Sequence, residues 1–121
     1  MKVVISAQGN DLDSLVDPRF GRARWLIVAD PETGLWEAHD NGANADASGG
    51  AGVQPSSAAA SQGATAVITG NVGPNAHRLL AAAGIAIYQT ENGVRVRDAL
   101  AMFGRGELPA VESPTLSGHW T

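Results

Sequence analysis

Five short strand-like runs precede and then alternate with three stretches of helical character, and that pattern constrains the fold more than any other feature of the chain. "KVVIS" (Lys2 to Ser6) reads as a buried first strand that ends at "QGN". "RWLIVAD" and "LWEAHD" flank "PETG", Pro31 to Gly34, whose proline and glycine favour a tight turn, so a β-hairpin is expected. Further on, an Ala- and Ser-rich segment from Val53 to Gln62 suits a helix, with Pro55 tolerated in its first turn and Gly63 as its stop. "TAVIT" (Thr65 to Thr69) is a strand, Pro74 to Ala83 a helix closed by Gly84, and "IAIYQ" a fifth strand. A last helix within "RVRDALAMFGRG" places Val96, Leu100 and Phe103 on one face. The order is therefore β-β-β-α-β-α-β-α. A hairpin followed by βαβα alternation implies an α/β fold, a mixed five-stranded sheet with flanking helices. The tail "ELPAVESPTLSGHWT" reads as irregular.

At 121 residues the chain is expected to form a single domain, residues 1–121. Its 44% hydrophobic and 17% charged content describes a soluble globular protein. A net charge of −4 argues against a general nucleic-acid binder. No apolar run approaches the roughly 18 residues of a membrane span, and "MKVVISAQGN" lacks a secretory pattern, so no membrane role and a cytoplasmic location are expected. There is no cysteine, which removes thiolate ligands and thiolate nucleophiles.

Charge is distributed unevenly. Three of the eight basic residues, Arg19, Arg22 and Arg24, fall within "DPRFGRARW". Two glycine-rich segments, "SGGAG" (Ser48 to Gly52) and "TGNVGPN" (Thr69 to Asn75), each precede a helix. Backbone amides in such loops converge on an anion, and the helix dipole adds positive potential. The arginines would supply fixed charge. The candidate anion pocket thus comprises Arg19, Phe20, Gly21 and Arg22, with Ser48, Gly49, Gly50, Asn71, Gly73, Asn75 and His77, and Arg24 at its margin. The competing reading is turn chemistry for the glycines and pairing of Arg22 and Arg24 with Asp11, Asp13 or Asp17.

Other chemistries find less support. Neither loop is a GxxxxGK[ST] phosphate loop or a GxGxxG fingerprint. His39, His77 and His119 lack metal-ligand spacing, so no metal ligand is assigned. The serines lack a GxSxG context, and Asp11, Asp13 and Asp17 read as a solvated loop. No catalytic residue is assigned, and a non-enzymatic role is expected.

The segments "GNDLDSLVDPRFGRARWLIVADPETG", "NADASGGAG", "VITGNVGPNA" and "GELPAVESPTLSGHW" together resemble the dinitrogenase iron–molybdenum cofactor biosynthesis family, in the same order over nearly the whole chain. The resemblance implies a ribonuclease H-like fold. It also implies a non-catalytic carrier that binds a metal–sulfur cluster, or its precursor, during cofactor assembly. That cargo would be iron–molybdenum-cofactor-like, or the non-covalently held molybdenum–copper sulfide of the orange-protein branch, with which a cysteine-free chain is compatible. Partner proteins in cluster assembly would follow. Relatives closest to nitrogenase assembly carry histidine where this chain has Arg19. A guanidinium stays protonated and has no free lone pair, so ion pairing replaces coordination there. Phe20 and Trp36 are candidates to shield one side of the cluster. The alternative is a regulatory or scaffold protein acting through protein–protein contacts.

Overall fold

The computed structural model describes residues 1–42 and 53–115. Its strands are β1 (Val3–Ala7), β2 (Trp25–Ala29), β3 (Trp36–Asp40), β4 (Ala66–Thr69) and β5 (Ala86–Gln89). The helices are α1 (Val53–Ser61), α2 (Pro74–Ala82) and α3 (Val96–Gly104), and a 3₁₀ turn spans Phe20–Arg22. The strands form one sheet in the order β3-β2-β1-β4-β5. β1 runs antiparallel to β2 and parallel to β4; β2 and β3 are antiparallel, and β4 and β5 parallel. This is the mixed ribonuclease H-like sheet expected from the sequence. Among the described elements, the 3₁₀ turn had no counterpart in the sequence reading.

The alternation of side chains along each strand divides the core in two. Val4, Leu26, Val28, Val67 and Ile87 face one side, under Ala59 of α1 and Ala76 and Leu80 of α2. Val3, Ile5, Ile27, Ala66 and Ile68 face the other, against Val96 and Ala99 of α3. Because both faces are covered, β1 and β4 are buried at every position, which is why they read as continuous apolar runs. The glycine stops act as expected: Gly34, Gly63 and Gly84 have φ of 79°, 73° and 73°, the left-handed region where a side chain is strained.

Residues 8–16 cap α3. The N–H groups of Val96 and Arg97 donate to the carbonyls of Ser14 and Leu12, both at 2.8 Å, so backbone carbonyls serve helix donors that lack a side-chain cap. Arg95 Nη1 donates to the Asp13 carbonyl at 2.7 Å, and Arg97 Nε reaches Asp13 Oδ1 at 3.1 Å. At the far edge of the sheet, the tail is not free. Gln89 N–H donates to the Pro109 carbonyl and Val111 N–H to that of Ile87, so residues 109–111 lie along β5.

Leu80 is fully buried between α2 and the sheet. Leu80→Ala is expected to lower the free energy of unfolding by about 2–4 kcal/mol, measured by urea denaturation followed by tryptophan fluorescence.

Candidate functional site

In an α/β sheet the loops leaving the carboxyl ends of parallel strands form a crest where ligands bind. Here those ends are Ala7 of β1, Thr69 of β4 and Gln89 of β5. The segment "DPRFGR" lies against "TGNVG" at this crest, as follows. The Ser6 hydroxyl donates to the Asp17 carbonyl at 2.9 Å and shares a 2.7 Å hydrogen bond with the Thr69 hydroxyl, while Asp17 N–H returns to the Ser6 carbonyl at 2.8 Å. Asn71 Nδ2 donates to the Pro18 carbonyl at 3.1 Å, and Phe20 N–H to the Asn71 carbonyl at 3.1 Å. Gly70 is required for this approach: a Cβ there would sit 2.6 Å from the Pro18 Cα.

Arg19 is carried on this fastened backbone. Its N–H donates to Asp17 Oδ1 at 2.9 Å, and its side chain is exposed. Asp17 itself is only 8% exposed. Burial pushes its carboxyl above the ordinary value of 3.8, opposed by the Arg19 N–H and the Arg19 charge. Asp17 is therefore not the solvated loop residue that the sequence suggested. The signal was available in part, because Asp before Pro commonly accepts a backbone N–H two residues on. Its burial was not legible, since that depends on where β4 lies.

The other candidates separate. Phe20 is 1% exposed and belongs to the core under α1 and α2. Gly21 and Arg22 complete the half-buried 3₁₀ turn. Arg24 turns away, and its guanidinium lies over Gly42 beside the Asp40 carboxylate. Asp13 pairs with Arg97 of α3 rather than with Arg22 or Arg24. Val72 N–H donates to Thr115 Oγ1 at 2.8 Å, so one amide of the second loop already serves the tail. Gly73 is the N-cap of α2 in extended conformation, with Asn75 and His77 half-buried in the first turn. Trp36 is paired with Ala29, which in turn pairs with Val3, so it stands at the opposite end of the sheet from Arg19. Ser48, Gly49, Gly50 and His119 lie outside the described residues.

A cavity of about 670 Å³ opens on the other side of Gly70 and Asn71. Gln89, Thr90, Glu91, Asn92 and Glu107 give it a polar wall, and Val94, Met102 and Leu108 an apolar one. Gln89 Nε2 donates to the Gly70 carbonyl at 2.8 Å. Among the described residues that line it, none is cationic, and two are glutamates. The exposed cation of the crest is thus Arg19, on the other side of the loop, while in the cavity wall Glu107 is paired with Arg105 at 2.9 Å and Glu91 adds negative charge. The sequence reading missed this division, because the cavity is assembled from the ends of β4 and β5, Met102 of α3 and Glu107, Leu108 and Pro109 of the tail. Among the described residues, no three His, Asp or Glu side chains gather to hold a metal ion, and no helix is long and apolar enough to cross a membrane.

The sheet order and the crest define a small α/β protein of the ribonuclease H-like type, with an arginine loop fastened to its central parallel strands. More particularly, the chain belongs to the dinitrogenase iron–molybdenum cofactor family, whose model matches residues 1–106. It is similar to the apo form of the orange protein from Desulfovibrio gigas, with 42% identity, a TM-score of 0.90, and 95% of this chain and 96% of that one covered. It is also similar to a Thermotoga protein of the DUF35 family solved by NMR, with 37% identity, a TM-score of 0.82, and 95% and 97% covered. A search of curated proteins found no match.

Two outcomes test this geometry. Gly70→Ala forces a Cβ into the Pro18 backbone and is expected to cost about 1–3 kcal/mol, whereas Gly104→Ala, which meets nothing within 4 Å, should be neutral or stabilising. Asp17 has a raised folded-state value, so the native state binds more protons than the unfolded state just above pH 3.8. In that window the wild type loses stability as pH rises and keeps the deficit at neutral pH. Asp17→Asn, whose side-chain carbonyl can still accept the Arg19 N–H, is expected to flatten the slope. Urea midpoints for both proteins across that pH range check it.

Proposed function

We propose that this protein is a non-catalytic carrier of an anionic metal–sulfur cluster, held non-covalently and passed between proteins during cofactor assembly. The observation that carries the reading is the exposed Arg19 side chain on a backbone held from both sides, by Asp17 Oδ1 at its own N–H and by Asn71 at Phe20. A guanidinium carried on this anchored backbone offers a sulfide-rich anion charge and a planar set of N–H donors without covalent ligation. The absence of cysteine from the sequence fits the same mode, because no thiolate could displace sulfide from the cluster. Membership of the dinitrogenase cofactor family and likeness to the orange protein support a cofactor-binding role over catalysis.

In its finer form the proposal names a molybdenum–copper sulfide as the cargo. Arg19 would be the principal contact and Arg22 the second source of charge, with the first turn of α2, including Asn75 and His77, closing the side opposite the arginine turn. The donor and recipient would be other proteins of the assembly route, and neither nucleic acid nor membrane has a part.

Reconstitution with tetrathiomolybdate and copper is the test. The wild type is expected to retain a coloured cluster through gel filtration, with metal analysis giving a fixed ratio to protein. Arg19→Ala should weaken retention about tenfold or more, Arg19→Lys less, and added salt should weaken the wild type. A colourless, metal-free protein with an intact fold would overturn the proposal.

A further inference from the structure

The two edges of the sheet are treated differently. On β5, residues 109–111 occupy the edge. On β3 nothing among the described residues does. The register pairs Trp25 with Asp40 and Ala29 with Trp36, and it is flanked by bonds from Asn41 N–H to the Arg24 carbonyl and from Asp30 N–H to the Leu35 carbonyl. In an antiparallel ladder the bonded pairs recur at every second residue. Glu37 and His39 therefore bond inward to β2, and the backbone N–H and C=O groups of Trp36, Ala38 and Asp40 point outward. The edge carries no proline, lysine or bulge to discourage pairing. Beside it stand two exposed apolar side chains, Leu35 at 73% and Trp36 at 42%.

We infer that β3 is a homodimer edge, pairing antiparallel with β3 of a second copy about a two-fold axis at Ala38. Charge complementarity selects both the occupant and the register. With the axis at Ala38, Glu37 of each copy lies opposite His39 of the other, in the non-bonded positions where side chains are closest. Outward groups of Trp36 and Asp40 then bond across the axis, as do those of Ala38 with its own counterpart. A slip that centres the axis on Glu37 sets two glutamates face to face, and a slip to His39 sets two histidines so; each loses the complementary pairs. Within each copy His39 Nε2 already lies 3.1 Å from Glu37 Oε1, and the Ala38 register brings this pair and its two-fold mate together, two carboxylates with two imidazoles. The result is one continuous sheet through both copies, closed by two-fold symmetry, with both arginine crests left open.

Sedimentation velocity of the full chain over a concentration series tests the association. The wild type is expected to dimerise reversibly. Ala38→Pro removes only an outward N–H, so it should raise the dissociation constant at least about tenfold while circular dichroism stays unchanged. Because the chain has no cysteine of its own, single thiols report the register. On mild oxidation Ala38→Cys should form a covalent dimer far faster than Glu37→Cys or His39→Cys. A wild type that stays monomeric up to about 1 mM, the range of the weakest specific contacts, overturns the proposal. So does an Ala38→Pro protein that dimerises undiminished, or a faster crosslink at Glu37→Cys or His39→Cys.

Discussion

The parallel pairing of β1 with β4 places Ser6 beside Thr69, and the whole crest depends on that juxtaposition. Both hydroxyls are buried at the carboxyl ends of their strands, where each must find a partner or carry an unpaired polar group. They satisfy each other, and the Ser6 hydroxyl also takes the Asp17 carbonyl. Asp17 is thereby drawn in over the strand ends, and Pro18 comes down on Gly70 so closely that no side chain fits between them. Asn71 then bonds forward to Pro18 and Phe20, and Phe20 enters the core. What looks in the sequence like a free arginine-rich loop is a segment fastened at its residues 17, 18 and 20, with Arg19 projecting between the fastenings.

The same loop divides the crest electrostatically. Arg19 and Arg22 stand on one side of Gly70 and Asn71, and the cavity with Glu91 and Glu107 on the other. At a protein surface, unit charges a few ångströms apart interact by about 4 kcal/mol at an effective dielectric of 20 before solvent screening. Local charge therefore decides where an anion rests more than cavity size does. The cavity beside Gln89, with no cation among its described lining residues, suits an anion less well than the Arg19 side does, despite its position at the strand ends.

The stability of this frame comes from apolar burial on both faces of the sheet rather than from surface ion pairs. Arg97–Asp13 and Arg105–Glu107 are exposed, and pairs of that kind contribute little. Their use is local: the first orients residues 8–16 over the start of α3, and the second lies at the rim of the cavity. Buried Asp17 is the exception, a charged group kept where it costs stability because its carboxylate holds the Arg19 backbone.

Much of the architecture was legible in the residues themselves. Continuous apolar runs such as "KVVIS" and "TAVIT" announce strands covered on both faces, and Gly34, Gly63 and Gly84 mark turns because only glycine adopts their backbone conformation without strain. The clustering of arginines around Phe20 was equally plain. What the sequence could not reveal is which distant groups these residues meet. Asp11, Asp13 and Asp17 look alike in one dimension, but only Asp17 is buried, in a segment drawn onto the strand ends by the Ser6 hydroxyl and by the approach of Pro18 to Gly70. Trp36 and Phe20 look like equal aromatic candidates, yet one is in the core beneath the arginine turn and the other at the far end of the sheet. Strand identity and turn positions follow from local chemistry, which a short window of residues contains. The partition of the crest and the open edge at β3 come from strand order and register, which are set by contacts between residues far apart in the chain.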